Sequence, residues 1–344
     1  MAELWFWLLS AALAVYVVLD GFDFGVGALH FFVARSSSER STLLASIGPV
    51  WDGNEVWLVA AGGSLFAAFP ALYAITFSGF YLPLMIVLWL LLFRALGIEI
   101  RHQLEHPLWH QFWDVAFSAA SVLLILFLGA ALGNLVRGVT LDENGNFFAP
   151  LWTDFRVGAR AGILDWYTLL VGVTALATLS YHGAQWLALK TEHALRERAA
   201  HAARSLFVPT LALGLSTALA TLLVQPEVLQ KLLAQPAACA LPLLSLAGLV
   251  SSRVFLWARP LSAFLGSSAY VFFQVLSAAF AVFPHALVAR DPSRHLTLAA
   301  AAADAHSLRS MLFWWLPGML LASGYSYYTY SRLPKTFVSG ENAH

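Results

Sequence analysis

Leu4-Trp5-Phe6-Trp7-Leu8-Leu9-Ser10-Ala11-Ala12-Leu13-Ala14-Val15-Tyr16-Val17-Val18-Leu19 runs without a charge straight into Asp20-Gly21-Phe22-Asp23-Phe24-Gly25-Val26-Gly27. A helix rises 1.5 Å per residue, so about 20 apolar residues cross a hydrocarbon core of about 30 Å. The stretch has that length, and it lacks the period-two alternation of a lipid-facing barrel strand. Met1-Ala2-Glu3 carries no basic segment, and the run is too long for the core of a signal peptide. It reads as a retained membrane helix over 4–33.

The rest of the chain repeats the pattern. Of 344 residues, 60% are hydrophobic and 11% charged, with a mean hydropathy of +0.72. Soluble chains carry roughly 25% charged residues, so most of this surface is not wet. Formal net charge is zero, which gives no footprint for nucleic acid. One cysteine, Cys239, excludes an intrachain disulfide and a cysteine-held metal cluster. The fold class expected is an all-α membrane protein.

Nine transmembrane helices are expected, over 4–33, 47–68, 72–98, 110–136, 161–189, 205–224, 237–257, 261–289 and 307–331. The longest connection, Arg137 to Arg160, holds the turn-forming stretch Asp142-Glu143-Asn144-Gly145-Asn146. Val18-Leu19-Asp20-Gly21 and Pro49 have counterparts about 160 residues later in Leu179-Ser180-Tyr181-His182-Gly183 and Pro209. That offset suggests one polytopic domain, 1–344, built as two four-helix units (1–136 and 161–289) with a peripheral ninth helix over 307–331. Twelve lysines and arginines fall on one side of these helices, Arg35, Arg40, Arg94, Arg101, Arg198 and Lys335 among them. Seven, including Arg137, Arg160, Lys231, Arg290 and Arg294, fall on the other. By the positive-inside bias, the N-terminus is outside and the C-terminus cytoplasmic.

Polar groups inside these helices carry the functional information. Asp20 and Asp23 are three apart, on neighbouring parts of one helix face. Ionised groups in a membrane normally face a bundle interior or a wet cavity. Gly48-Pro49-Val50-Trp51-Asp52-Gly53-Asn54-Glu55-Val56-Trp57 opens the second helix. There Pro49 suits a first turn, and Asp52 and Glu55 suit the positive end of the helix dipole. If helices 1 and 2 are antiparallel neighbours, Asp23, Asp52, Asn54 and Glu55 meet at one membrane face. Such a cluster conducts protons or merely caps and packs; both readings stand at this level. Trp51 and Trp57 suit an interfacial belt, as does Gly324-Tyr325-Ser326-Tyr327-Tyr328-Thr329-Tyr330. Gly21 with Gly25, and Gly129 with Gly133, form small-xxx-small pairs for close helix approach, while Gly62-Gly63 thins its helix. Of eleven histidines, only His182 and His285 fall within expected helices, with His30 near an end and His295 and His344 in connections or termini. No pair is placed for bis-histidine haem ligation, so no cofactor-binding, metal or catalytic residue is assigned.

The two acidic segments, Asp20 to Gly27 and Trp51-Asp52-Gly53-Asn54-Glu55-Val56-Trp57-Leu58, resemble the signatures of subunit II of cytochrome bd-type quinol oxidases. Ala61-Gly62-Gly63-Ser64-Leu65-Phe66-Ala67-Ala68-Phe69-Pro70, Phe77-Ser78-Gly79-Phe80-Tyr81, Gly129-Ala130-Ala131-Leu132-Gly133-Asn134 and Phe283-Pro284 are similar to that family too. The resemblance implies a bacterial inner-membrane subunit paired with a subunit I that holds haems b and d and the quinol site. Together they oxidise quinol and reduce dioxygen to water, with protons drawn from the cytoplasm. By analogy Asp52 is the main proton-path carboxylate, beside Asp20, Asp23, Asn54 and Glu55, and Trp57 lies on the oxygen route. No cofactor would be bound directly, apart from a structural quinone or lipid; a small single-helix subunit is a further partner. A transporter with an acidic proton-coupled site is the alternative reading.

Overall fold

A computed structural model describes residues 1–158 and 161–338; Arg160 and His344 lie outside them. In chain order the helices are α1 (Ala2–Ala28), α2 (His30–Val33), α3 (Ser37–Ile47), α4 (Trp51–Ala68), α5 (Pro70–Gly79), α6 (Tyr81–Glu99) and α7 (Pro107–Arg137). Then follow α8 (Trp166–Lys190), α9 (His193–Val224), α10 (Glu227–Ala234), α11 (Ala240–Phe255), α12 (Pro260–Val282), α13 (Leu298–Ala301) and α14 (Ala305–Arg332). Strands β1 (His285–Leu287) and β2 (Leu296–Thr297) pair antiparallel between α12 and α13.

α1 is the hub and packs against α4, α7, α8 and α12. Its tightest crossing is with α8. A methyl group on Gly25 would overlap the Leu179 carbonyl oxygen, and one on Gly183 would overlap the Gly25 backbone. Glycine is what lets these two backbones touch. Gly129 makes a similar approach, with its Cβ position 2.8 Å from the Gly172 Cα. Gly62 and Gly63 face open space instead, so no close helix contact accounts for them.

Among the described residues, six helices are long and apolar enough to cross a membrane. The pair α4 and α5, bent by 117°, makes a seventh if counted as one span. The expected nine are not reached by this measure. α8 and α14, at 25 and 28 residues, have the length but are not among the six. For α8 the reason is its position. Ser180, Tyr181, His182 and Gln185 are all buried, so the polar side chains that lower its hydropathy face protein rather than lipid.

Prolines explain the boundaries that the apolar runs concealed. The expected helix 72–98 is two helices broken at Phe80, because Pro83 has no N–H to offer the Gly79 carbonyl. α4 stops at Ala68, with Phe69 outside helical geometry ahead of Pro70, which opens α5. The expected helix 261–289 ends at Val282, since Phe283 precedes Pro284 and is extended. Pro49 sits in a turn, one residue before the Val50 N-cap, and not in a helical first turn. The span expected from 161 starts at Trp166, where the Asp165 carboxylate accepts the Tyr167 and Thr168 N–H groups. The expected turn at Asp142 is present: its Oδ1 accepts the N–H groups of Asn144 and Asn146.

Candidate functional site

Asp20 and Asp23 lie on α1 with no solvent exposure, eight and five residues before its end at Ala28. Opposite them α6 brings in Arg94, also fully buried. Its Nη2 donates to Asp20 Oδ1 at 2.8 Å and to Glu55 Oε1 of α4 at 2.7 Å. The guanidinium also lies over the Phe24 ring, 4.6 Å from its centroid. One arginine thus ties three helices together through two carboxylates.

The second half of the site is built on Asn54. Its Nδ2 donates to Asp23 Oδ2 at 2.9 Å and to the Leu19 carbonyl at 3.1 Å, which fixes the amide orientation. Its Oδ1 accepts the Tyr330 hydroxyl of α14 at 2.8 Å. One turn along α4, Trp57 Nε1 donates to Ser326 Oγ at 3.3 Å. Tyr16 Oη, Asp20 Oδ2, Asp23 Oδ1 and Arg94 Nε and Nη1 are buried without a hydrogen-bond partner among the described residues.

The structure therefore joins Asp20, Asp23, Asn54 and Glu55, and leaves Asp52 apart. Asp52 is exposed on the first turn of α4, with its Oδ1 accepting the Gly53 N–H at 2.7 Å. Sequence reading missed Arg94, which was counted with the connecting loops. Its signal was an arginine embedded in the apolar run from Tyr81 to Ile98, the natural partner for intramembrane acids. Tyr330 was read as an interfacial belt residue; its hydroxyl points inward to Asn54.

Two further ion networks hold the ends of the bundle. Asp114 of α7 accepts from His30 Nε2 and Arg40 Nε at 2.8 Å each, and from Arg101 Nε at 2.6 Å. Arg101 also reaches Ser41 at 2.8 Å and Ser37 at 3.2 Å, which seats α3 against α7. At the other end Arg137 pairs with Asp165 and donates to Asn134 Oδ1 at 2.6 Å.

Both ring nitrogens of His182 are engaged, Nδ1 with Ser267 Oγ at 2.7 Å and Nε2 with the Val18 carbonyl at 3.0 Å. His182 has no free nitrogen for haem iron. His285 is not in a helix, as the sequence suggested, but starts β1. His295, read as a loop or helix-end residue, lies against it with ring centroids 4.3 Å apart and the rings tilted by 48°. These adjacent rings do not resemble two axial ligands, which must stand on opposite faces of a macrocycle.

Fold and site together define a polytopic helical membrane protein whose interior holds an arginine–carboxylate network. The profile of the family described as cytochrome bd terminal oxidase subunit II matches residues 1–333, and the chain belongs to that family. It is 40% identical over 196 residues to the probable cytochrome oxidase subunit 2 of Haemophilus influenzae, covering 57% of this chain and 50% of that one. It is 38% identical over 206 residues to the cytochrome bd-I ubiquinol oxidase subunit 2 of Escherichia coli K12, covering 57% and 51%. The matched region thus spans about half the length of these relatives. Among solved structures, the bd oxidase from Geobacillus thermodenitrificans aligns with a TM-score of 0.73 over 95% of this chain and 96% of that one. At 17% identity, that likeness speaks for the fold.

Proposed function

We propose that this chain is the second subunit of a membrane quinol:oxygen oxidoreductase, inactive alone and supporting a haem-bearing subunit I. The observation that carries the reading is the pairing of Asp20 and Glu55 with the buried Arg94, beside Asp23 held by Asn54, in a member of this family. In the overall reaction, two quinols supply four electrons to one dioxygen, and four protons are taken up to give two waters. Haems b and d and the quinol site belong to the partner; when bound there they carry the electrons. The residues of this chain hold and move protons.

Three carboxylates to one guanidinium leave the cluster room to accept and release protons without collecting a large net charge. Tyr16, Asp20, Asp23 and Arg94 each carry a buried polar atom with no hydrogen-bond partner among the described residues, and such atoms are suited to bridging by water. In this reading Asp52, exposed at the start of α4, collects protons, and Glu55, Asp20, Asn54 and Asp23 pass them inward. Trp57, buried between α4 and α14, shapes access for oxygen. A structural quinone or lipid and a small single-helix subunit complete the expected associates.

The same reading makes nine spans of the helix set: the six apolar helices, the bent α4–α5 unit, the interior α8, and α14. Gly25 and Gly183, 158 residues apart and in contact, suit two four-helix units related through the α1–α8 crossing. The N-terminus would be outside and the C-terminus cytoplasmic, in a bacterial inner membrane. The family match gives the transporter alternative no support. Co-purification tests the whole proposal. Tagged chain should bring down a haem-bearing membrane protein with quinol oxidase activity, and recovery of a haem-free, inactive chain from cells expressing the oxidase would overturn it.

A further inference from the structure

Three donor groups outside the Arg94 network meet at the far end of α9, some 40 Å along that helix from Arg198. Gln225 and Pro226 end α9 and turn the chain, so that Glu227 opens α10. His285 begins β1, and its antiparallel pairing with Thr297 brings His295 alongside. One donor atom from each of Glu227, His285 and His295 lies within 4.8 Å of the other two. His295 Nε2 is 3.8 Å from Glu227 Oε1, and its side chain is 9% exposed. His285 Nδ1 and His295 Nε2 are buried with no hydrogen-bond partner among the described residues. Two buried imidazole nitrogens without partners, facing a carboxylate, are costly unless something else satisfies them.

We propose that Glu227, His285 and His295 form a binding site for a divalent transition-metal ion of the zinc type, clasping the α9–α10 corner to the β1–β2 hairpin. Two imidazoles and a carboxylate suit zinc and its neighbours; calcium and magnesium prefer all-oxygen sites. Bonds of about 2.0–2.2 Å need the donors roughly 3.4 Å apart, a contraction within reach of side-chain adjustment. Glu227 is 39% exposed, which leaves an entry path and an open fourth position.

One contact opposes binding. His295 Nδ1 accepts the Ala289 N–H at 3.0 Å, so the neutral ring carries its proton on Nε2. An incoming ion displaces that proton, and the ring keeps its neutral form only by taking a proton at Nδ1 and giving up the Ala289 bond. One lost hydrogen bond weakens affinity about tenfold. Structural zinc sites bind tighter than that penalty by many orders of magnitude. Lys231, whose ammonium is turned to the Ala281 carbonyl at 2.9 Å, is a charged neighbour the ion must tolerate.

The test uses the chelator-treated oxidase complex in detergent, titrated calorimetrically with zinc chloride. One equivalent per chain is expected, with a thermal shift upward on binding. Glu227→Gln, His285→Gln and His295→Gln should each weaken binding tenfold or more, while His306→Gln leaves it unchanged. Cobalt(II) added to the unaltered complex should give the intense visible bands of a four-coordinate site, a readout that needs no variant to fold. Absence of saturable binding and of cobalt bands would overturn the proposal. So would binding that survives all three substitutions.

Discussion

Arg94 has no exposed surface and serves two carboxylates on two other helices. Removing one partner of a buried ion pair strands the other, which costs about 3–5 kcal/mol. Arg94→Met should therefore lower the yield of assembled complex and its thermal stability, and a doubly substituted Arg94→Met/Asp20→Asn protein should recover part of that loss. Equal stability of the two variants would show that Arg94 and Asp20 do not support each other. Asp52 is different, being exposed and, among the described residues, bonded only to its neighbouring backbone. Asp52→Asn should assemble normally yet reduce quinol:oxygen turnover tenfold or more, about 1.4 kcal/mol in barrier, with Asp52→Glu keeping part of the rate. Parental turnover in Asp52→Asn would return this residue to a plain role at the helix end. At this scale the sequence was legible where a charge interrupts an apolar run: Asp20, Asp23 and Glu55 announce themselves. Arg94 was misassigned because it was tallied with the charges of a connection, although the expected helix over 72–98 contains it. Tyr330 was hidden among five neighbouring aromatic or hydroxyl residues, Tyr325 to Thr329, whose periodicity says nothing about which one faces inward.

α3 is the element that the apolar pattern missed, because its residues are too polar to count as a span and its place was given to a loop. Ser36 and Glu39 form a reciprocal cap, Glu39 N–H to Ser36 Oγ at 3.1 Å and Arg35 and Ser36 N–H to Glu39 Oε2 at 2.6 and 3.3 Å. Glu39 also pairs with Arg198 of α9, which itself donates to the Val33 carbonyl at 2.7 Å. Burial pushes the Glu39 carboxyl up, but the Arg35 backbone bond, the Arg198 guanidinium and the Ser36 backbone bond outweigh it and hold it below the ordinary value of 4.5. A depressed carboxyl stabilises the fold at pH above its unfolded value and loses that contribution as pH falls through the folded one. Glu39→Gln should thus destabilise the complex by about 1 kcal/mol at neutral pH. The gap between variant and parent should close as the pH falls through the depressed value of the folded carboxyl, below the ordinary 4.5, followed by thermal unfolding. A gap that does not change with pH would exclude the charge as its source. The breaks at Pro70, Pro83 and Pro284 carry the opposite lesson. Their signal was in the sequence, since proline lacks the donor a continuing helix needs, but hydropathy alone runs straight through them.

Across the whole molecule, the path for protons has a direction only if the orientation is right. With Cys239 replaced by serine, a cysteine at Asn144 should react with a membrane-impermeant maleimide in intact cells, and one at Glu197 should not; both positions are exposed. The reverse labelling pattern would invert the topology and the proton path with it. The α1–α8 crossing tests the architecture: Gly25→Val places a branched Cβ where the Leu179 carbonyl oxygen already sits, and should abolish stable assembly. Normal assembly of that variant would mean the crossing is looser than described. That the chain is a bundle of long apolar helices was legible from composition, while the hub position of α1 was not, since hydropathy identifies spans without saying which touch. α14 has a consequence of its own in time. Its partner α4 leaves the ribosome some 240 residues earlier, so during synthesis Asn54 Oδ1, Trp57 Nε1 and Ser64 wait without Tyr330, Ser326 and Trp315. The acidic interior is thus closed by a helix made long after α4, and a nascent chain halted before Ala305 exposes polar atoms that membrane proteases and chaperones can recognise as unfinished.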